Sequence, residues 1–235
     1  NLNNGSSVGG MSDASTANSA PLELKIVIGS TRDGRACDAF TPWLIERAQA
    51  HGAFNVDVLD LRDWPLPLFQ ETLATIGDMG SPTYSDPVVR AWNDKIKTGD
   101  GFIFVTPEYN HSVPGVLKNA IDSVFVSWGF RNKVCGYVGY SGSAVGAARA
   151  VEHLVHIANE VEMVSLRNSV LIGGVMQAFA GGRPTNPLTD TALDIMLDDM
   201  AWWGRVTRQG RAGGMLPPGT ARMRAAMAAL AKANG

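Results

Sequence analysis

The sequence is short of the residues that build disulfide scaffolds and metal centres. It contains only 2 cysteines and 4 histidines in 235 residues. A small secreted scaffold needs more cysteines, so Cys37 and Cys135 indicate a reducing compartment, and we expect both thiols to be buried and unreactive. Because no cysteine or histidine pair has the spacing of a zinc site, we expect no metal ligands. These shortages predict a cytoplasmic protein.

The chain also lacks an excess of charge and a long apolar run. Its 20 basic residues are balanced by 22 acidic ones, so the formal net charge is only -2, which disfavours non-specific binding to nucleic acid. No apolar run reaches the ~20 residues that a transmembrane helix requires. With 45% hydrophobic and 18% charged residues, the composition is typical of a soluble globular protein. We therefore expect neither nucleic acid nor a membrane as a partner.

The two ends of the chain differ in composition from the middle. Residues 1–21 are rich in asparagine, serine and glycine and have no signal-peptide pattern, so they are expected to be disordered. Met11 is the expected start, which makes residues 1–10 a cloning remnant. We predict one main domain over residues 22–209. The remainder, residues 210–235, is predicted to be a helical extension that packs on a partner subunit or frays.

Five short apolar segments alternate with segments of helical periodicity. The predicted strands are 22–28, 54–60, 101–106, 134–140 and 163–172. The predicted helices are 38–50, 86–98, 114–128, 143–159, 189–208 and, in the extension, 220–232. Proline and glycine predict irregular connections over 61–86 and 173–187. Strands that alternate with helices in this way form a parallel sheet covered on both faces, so the predicted fold class is α/β with three layers.

In such a sheet, ligands bind at the carboxyl ends of the strands. The first predicted strand runs into the first loop, residues 29–35, with the sequence GSTRDGR. Its backbone amides, the hydroxyls of Ser30 and Thr31 and the guanidinium groups of Arg32 and Arg35 suit a phosphate group. The loop has neither the Gly-Lys-Ser/Thr ending of a Walker loop nor the Gly-x-Gly-x-x-Gly of dinucleotide-binding folds. A plain strand-to-helix turn with solvated arginines is the alternative.

The third predicted strand is followed by the second loop, residues 107–112, and the start of a helix, which together read PEYNHSVPGVLKNAID. This string closely resembles the signature of the NAD(P)H-dependent FMN reductase family. The Gly-Ser-Thr-Arg of the first loop looks like the phosphate loop of that family, and the resemblance covers about residues 22–174. It implies a flavodoxin-like three-layer sandwich with a five-stranded parallel sheet in the order 2-1-3-4-5.

The resemblance implies FMN as cofactor and assigns residues to it. Phosphate contacts fall to the first loop, and Ser112 braces the second loop, whose proline-fixed backbone suits the edge of a planar ring. The third loop, residues 139–146, is rich in glycine and lets its backbone approach the ring closely. His111 is expected to be a solvated loop histidine. The FMN-binding residues implied are Ser30, Thr31, Arg32, Gly34, Arg35, Pro107, Glu108, Tyr109, Asn110, Ser112, Ser141, Gly142 and Ser143.

The resemblance also implies the reaction. NADPH or NADH gives hydride to FMN, which passes electrons to a small-molecule acceptor: free flavin, a quinone, an azo or nitro compound, or a metal oxyanion. We expect no catalytic side chain, because the flavin carries the hydride transfer. A homodimer or homotetramer is implied as well. A flavodoxin-type electron carrier is a rival hypothesis, although the acidic face of such carriers is missing, and a non-catalytic flavin-binding sensor is another.

Overall fold

The computed structural model describes residues 20–78, 81–124 and 126–233. The predictions of disorder for the start of the chain and of a cloning remnant at 1–10 concern residues 1–19, which lie outside the described residues. The strands are β1 (Leu22–Ile28), β2 (Phe54–Asp60), β3 (Gly101–Pro107), β4 (Val134–Tyr140), β5 (Val164–Ser165), β6 (Val170–Ile172), β7 (Phe179–Ala180) and β8 (Arg183–Pro184). The helices are α1 (Thr41–Ala50), α2 (Pro87–Lys97), α3 (Gly115–Asp122), α4 (Ala148–Glu160), α5 (Pro187–Ala212) and α6 (Gly219–Ala233), and a 3-10 helix (Ala36–Ala39) precedes α1.

The main sheet is parallel and has the order β2-β1-β3-β4-β5, with β6 also paired to β4. Both the fold class and the strand order agree with the sequence-based prediction. Every residue of β3 and β4 is buried, as expected for central strands that carry helices on both faces. The strand order reverses between β1 and β3, which is where ligands bind in folds of this class.

Two apolar cores lie on opposite faces of the sheet. On one face, Trp43 of α1 and Met196 of α5 pack against β1 residues such as Ile26. On the other, α2, α3 and α4 cover the aromatic side chains of Phe102 and Phe104 on β3. Cys37 and Cys135 are both buried and free, as predicted. The molecule therefore has the three layers that the alternation of strands and helices predicts.

Two predicted helices are shorter in the structure. The predicted helix 114–128 ends at Asp122, and the following described residues form turns in which Trp128 has a φ of 54°. The predicted helix 143–159 begins only at Ala148, because Gly146 and Ala147 adopt left-handed φ values of 57° and 65°. The β4–α4 connection is therefore a longer loop than the periodicity indicates.

The predicted fifth strand, 163–172, is split into β5 and β6. Both pieces pair with β4, where Ser165 is opposite Cys135 and Val170 is opposite Val138. The four residues 166–169 therefore lie opposite only two residues of β4, and the extra residues form a bulge. The Asn168 side chain in this bulge donates a 2.7 Å hydrogen bond to Asp199 of α5. The prediction of one continuous strand was wrong.

The predicted irregular connection 173–187 contains the antiparallel hairpin β7–β8. Gly181 and Gly182 form its turn with φ values of 57° and 76°. The ring of Phe179 stacks on Phe40, with centroids 5.5 Å apart, and meets Trp43 edge-on at 5.3 Å. Aromatic packing on the core therefore orders a segment whose composition alone predicts a linker.

The C-terminal part is helical, as the sequence predicts. α5 runs to Ala212, four residues beyond the predicted end at 208, and α6 closely matches the predicted helix 220–232. The division into a domain over 22–209 and an extension over 210–235 remains a prediction. Across the described ranges, we find no helix with the length and apolarity needed to cross a membrane.

Candidate functional site

A cleft of about 330 Å³ opens at the carboxyl ends of β1, β3 and β4. The three predicted loops meet there. The residues that line it are Arg32, Asp33, Gly34, Arg35, Ala36, Pro107, Glu108, Tyr109, Tyr140, Ser141, Gly142, Val175 and Met176. Of the predicted site residues, Ser30, Thr31, Asn110, Ser112 and Ser143 do not line this cleft. Thr31 instead faces a neighbouring cavity with Trp64 and Asn119.

The first loop is held against β3 and the second loop. The Gly29 amide donates a 2.8 Å hydrogen bond to the Val105 carbonyl oxygen, and a Cβ atom on Gly29 would lie 2.7 Å from that oxygen. Glycine is therefore needed at this position. Ser30 is fully buried, and its Oγ lies 2.8 Å from the hydroxyl of Tyr109. Ser30 thus connects the first loop to the second.

The first loop presents hydrogen-bond donors to the cleft. Within the described part of the chain, no hydrogen-bond acceptor contacts the amides of Thr31, Asp33 and Gly34. Gly34 has a φ of 63°, the left-handed conformation that helps a turn to orient successive amides towards an anion. The exposed guanidinium of Arg32 lies over the Tyr109 ring, 5.4 Å from its centroid. This arrangement suits a phosphate group.

Arg35 has a different environment from Arg32. Its buried guanidinium donates to Asp38 at 2.8 Å, to Asp60 at 2.7 Å and to the Ser30 carbonyl oxygen at 2.6 Å. The hydrogen bond with Asp60 raises the pKa of Arg35. Burial acts to raise the pKa of Asp60, but hydrogen bonds from Arg35 and the amide of Arg62 outweigh it and lower that pKa. Arg35 is thus bound to carboxylates of the protein and shapes the first loop.

The sequence-based analysis did not include Asp38 and Asp60 in the site. A usable signal for Asp60 was its place as the last residue of a predicted strand, at the same sheet edge as the first loop. Asp38 stands three residues after Arg35, a spacing that favours a pair on one helical face.

A tight turn closes the second loop. Tyr109 and Ser112 exchange backbone hydrogen bonds of 2.9 and 3.0 Å, and the two residues between them, Asn110 and His111, have φ values of 49° and 70°. This is the geometry of a type I′ turn, in which asparagine is common. The exposed Asn110 and His111 therefore form the tip of the turn, outside the lining of the cleft.

The second loop is fastened to α4. The carboxylate of Glu108, only 6% exposed, forms an ion pair with Arg149, which also contacts His111. The hydrogen bond from Arg149 lowers the pKa of Glu108. One turn further along α4, the His153 Nδ1 atom lies 2.8 Å from the Ser112 Oγ. Arg149 and His153 were missed by sequence reasoning, although their spacing of four residues on a predicted helix indicates a shared face.

The third loop is supported by the segment that follows β6. The Gly174 amide donates to the Ser143 carbonyl oxygen at 3.0 Å, and the Val175 amide donates to that of Ser141, also at 3.0 Å. These bonds bring Val175 and its neighbour Met176 to the rim of the cleft. Both were missed because residues 173–187 were interpreted as a linker. Gly142 is exposed, and a Cβ atom there would have no neighbour within 4 Å.

The donor set of the cleft fits FMN. The first loop supplies amides and Arg32 suited to a phosphate, while Tyr109 and the open backbone at Gly142 offer accessible surface for a ring system beside the buried Tyr140. Tyr140 itself is held edge-on to Phe40, with centroids 5.3 Å apart. Within the described ranges, no group of side chains is arranged to hold a metal ion.

The fold and the cleft define a flavodoxin-like α/β protein with a cleft at the point where the strand order reverses. A family model described as NADPH-dependent FMN reductase matches residues 23–177, and the chain belongs to this family. It is an NAD(P)H-dependent oxidoreductase, and its cofactors are FMN and NAD(P)H.

Relatives with assigned activities agree with this placement. An NAD(P)H-dependent FMN reductase of Schizosaccharomyces pombe is 34% identical over 141 residues, which cover 60% of this chain and 68% of the relative. A 2-hydroxy-1,4-benzoquinone reductase of a Burkholderia species is 30% identical over 194 residues, covering 80% of this chain and 98% of the relative. The flavoenzyme NAD(P)H:(acceptor) oxidoreductase FerB from Paracoccus denitrificans has the same fold, with a TM-score of 0.63 at 23% identity over 79% of this chain and 98% of that one.

Proposed function

We propose that this enzyme oxidises NADPH or NADH with FMN bound in the cleft and reduces a quinone. The observation that carries the proposal is the meeting of three loops around one cleft, with phosphate donors in the first loop and accessible backbone in the third. The quinone is favoured over the other acceptors because the relative matched over 98% of its length is a benzoquinone reductase. The apolar rim at Val175 and Met176 also suits a small planar molecule.

We infer that the first loop binds the FMN phosphate. Arg32 and the amides of Asp33 and Gly34 would contact the phosphate directly, since they line the cleft and are donors that the loop leaves open. Thr31 faces the neighbouring cavity and would contribute through the loop. Ser30 and Arg35 would contribute indirectly, by holding the first loop in its conformation. The hydroxyl of Ser30 binds Tyr109, and the guanidinium of Arg35 binds Asp60.

The second and third loops would hold the ring. Pro107 and Tyr109 present rigid backbone and an aromatic surface, and Glu108 with Ser112 fastens the second loop to α4. Asn110 would contribute through its turn conformation. In the third loop, Ser141 and Ser143 fix the backbone on both sides of Gly142, and amides there can stabilise negative charge on a reduced ring.

When bound, FMN supplies the ring that accepts hydride from the nicotinamide and hands two electrons to the acceptor. The protein binds the cofactor, orients it and leaves one side open at the rim of the cleft. No side chain has to act as nucleophile or general acid, so His111 at the exposed tip of the turn needs no catalytic role.

The test is an anaerobic titration of the FMN-loaded, desalted protein. We expect NADPH or NADH to bleach the flavin absorbance and 1,4-benzoquinone to restore it within one turnover. The double variant Tyr109→Ala with Asn110→Ala should lose flavin or slow the bleaching. Arg167→Ala, a change at an exposed residue that does not line the cleft, should behave as the wild type.

Three results would contradict the proposal in different ways. Retained flavin that neither nucleotide bleaches would favour an electron carrier or a sensor. Bleaching without reoxidation by quinones would leave the oxidoreductase but exclude the proposed acceptor. Failure to retain flavin, combined with no turnover of free FMN, would exclude the cofactor site.

A further inference from the structure

A second cavity, which we call the Trp64 cavity, lies beside the cleft at the same edge of the sheet. Its volume is about 260 Å³. Thr31 of the first loop faces this cavity, whereas the next residue, Arg32, lines the cleft. Since consecutive Cα atoms are only ~3.8 Å apart, the two spaces adjoin at the first loop. The residues that line the Trp64 cavity are Thr31, Leu61, Trp64, Pro65, Leu66, Leu68, Gly115, Val116 and Asn119.

Contacts within the chain hold the walls of the Trp64 cavity in place. Asn119 of α3 donates a 2.8 Å hydrogen bond to the Pro67 carbonyl oxygen and accepts one of 2.9 Å from the Phe69 amide. The half-buried ring of Trp64 meets the buried ring of Trp92 edge-on, with centroids 5.0 Å apart. The cavity therefore has an oriented aromatic wall, which is typical of sites that bind flat ring systems.

The polar groups at the Trp64 cavity are hydrogen-bond donors. Across the described ranges, no acceptor contacts the hydroxyl or amide of Thr31 or the amides of Gly115 and Val116 at the start of α3. In the same part of the chain, no charged side chain lines the cavity. A fitting ligand is therefore flat and uncharged in its ring, with acceptors on its edge. Adenine has this chemistry, because its N3 and N7 atoms are acceptors and its face stacks on aromatic side chains.

Three further cavities in the described ranges are less suited to a flat ring that must lie near the cleft. Those lined by Arg131 and by Trp128 with Val161 lie at the other ends of the strands, since these residues precede β4 and β5. The third is lined by Glu71 and Asp86, whose carboxylates repel phosphate groups. Of these four cavities, the Trp64 cavity combines an uncharged lining with a place beside the cleft.

We propose that the Trp64 cavity binds the adenine ring of NADPH or NADH. This inference rests on the proposed function, in which the nucleotide reduces FMN in the cleft. The nucleotide has two flat ring systems joined by a flexible chain of riboses and a pyrophosphate, and only the nicotinamide has to reach the flavin. The adenine would stack on Trp64, while Thr31 and the first amides of α3 donate to its ring nitrogens. Trp64 would thus bind the donor without taking part in hydride transfer.

Adenosine binding to the FMN-loaded protein tests the site without turnover. In calorimetric titrations, adenosine should bind more tightly than uridine, which has a smaller ring, and neither has a phosphate that could occupy the first loop. Trp64→Ala should weaken adenosine binding about tenfold or more, because stacking of a base on an aromatic side chain contributes this much. Trp64→Phe should restore part of the affinity. Retained FMN would show that each variant is folded.

Two further variants guard against an indirect effect of losing the indole. Val116→Trp, at a position that is 42% exposed, fills the cavity and leaves the contact of Trp64 with Trp92 intact, so it should also weaken adenosine binding. Trp202→Ala removes an exposed tryptophan that does not line the cavity and is the matched control. It should bind adenosine as the wild type does.

Steady-state kinetics with two hydride donors separates adenine binding from the redox step. Reduced nicotinamide mononucleotide carries the nicotinamide but lacks the adenylate half of NADPH. Trp64→Ala should raise the KM for NADPH about tenfold, whereas the KM for the mononucleotide should change by less than about twofold. Adenosine should compete with NADPH but not with the mononucleotide.

Several outcomes would overturn the proposal. One is equal affinity for adenosine and uridine, and another is wild-type adenosine affinity in Trp64→Ala and Val116→Trp. An equal rise in KM for both donors would make Trp64 a support of the cleft. If adenosine does not bind and Trp64→Ala raises the KM for 1,4-benzoquinone, the cavity belongs to the acceptor. Absence of turnover with both donors would instead contradict the proposed function, and the adenosine titration would still decide the role of the cavity.

Discussion

Three arginines around the cleft have different partners and therefore different expected roles. Arg32 is exposed above Tyr109, Arg35 is bound to Asp60, and Arg149 holds Glu108. Arginine suits all three positions because its planar fork can bind a phosphate or a carboxylate with two parallel hydrogen bonds. Of the three, Arg32 is the one placed to meet a phosphate directly.

We predict that Arg32→Ala weakens FMN binding about tenfold or more, because a hydrogen bond to a charged group contributes about 1.5–3 kcal/mol. Flavin fluorescence titration measures the change. Riboflavin, which has no phosphate, should bind wild type and variant equally, and Arg167→Ala controls for the loss of one positive charge. An equal loss of riboflavin affinity would show that Arg32 supports the ring or the fold instead of the phosphate.

A second prediction concerns the ion pair of Glu108 and Arg149. Because Arg149 lowers the pKa of Glu108, the pair stabilises the fold above the ordinary glutamate pKa of about 4.3, and this stability is lost as the pH falls through the lowered value. Arg149→Ala should therefore reduce the unfolding free energy at pH 7 and differ less from the wild type near pH 3. Urea unfolding at both pH values gives the comparison. A difference that does not change with pH would mean that the ion pair contributes nothing.

Single residues show where sequence reasoning about the site was limited. Arg32, Glu108, Tyr109 and Gly142, from the three predicted loops, line one cleft, as expected for strand ends that share a sheet edge. The partners of these residues could not be predicted, since Arg149 approaches Glu108 only after α4 has packed on the sheet. A string of residues gives the order of functional groups but not the directions in which their side chains point.

At the level of elements, the carboxyl end of α2 depends on a lysine from a neighbouring strand. Lys133, next to β4, donates hydrogen bonds of 3.1 and 2.8 Å to the carbonyl oxygens of Ile96 and Lys97, the last two residues of α2. Burial, together with the charge of Arg211, lowers the pKa of Lys133 to about 7. The side-chain nitrogen of Lys133 therefore caps the carboxyl end of α2, and its burial disfavours the charged form.

This lysine gives a third prediction, on pH dependence. Between about pH 7 and the ordinary lysine pKa of about 10.4, the unfolded chain binds the proton more readily than the folded chain, so the unfolding free energy gains from rising pH. We expect wild type to gain stability relative to Lys133→Met over this window, by up to about 1.4 kcal/mol per pH unit. Denaturant unfolding at about pH 7, 8.5 and 10, which span that window, measures it. Parallel curves for the two proteins would contradict the lowered pKa.

Most elements could be predicted because their signals are local. Asp86 and Pro87 mark the start of α2, and the aspartate does accept from the amides of Val88 and Val89. The bulge between β5 and β6 and the hairpin β7–β8 were not predictable, since the first rests on Asn168 binding Asp199 and the second on Phe179 packing against Phe40. In both, contacts distant in sequence decide the local structure.

At the scale of the whole molecule, the sheet places the three loops that form the cleft at one edge. The order β2-β1-β3-β4-β5 places the first, second and third loops around the point where the strand order reverses. Helix α6 begins at the opposite edge of the sheet, near Arg131 and Asn132, which precede β4. The cleft and the start of α6 therefore lie at opposite ends of the strands.

The two margins of the main sheet bear on how the chain behaves at high concentration. An unprotected outer strand can recruit a strand from another molecule and start aggregation. At one margin, β2 carries Asp57 and Asp60, each paired with a cation of the same chain. At the other, the fifth strand is reduced to β5 and β6 by its bulge. A charged margin and an interrupted one are poor templates for strand addition, so this chain should resist fibril formation while folded.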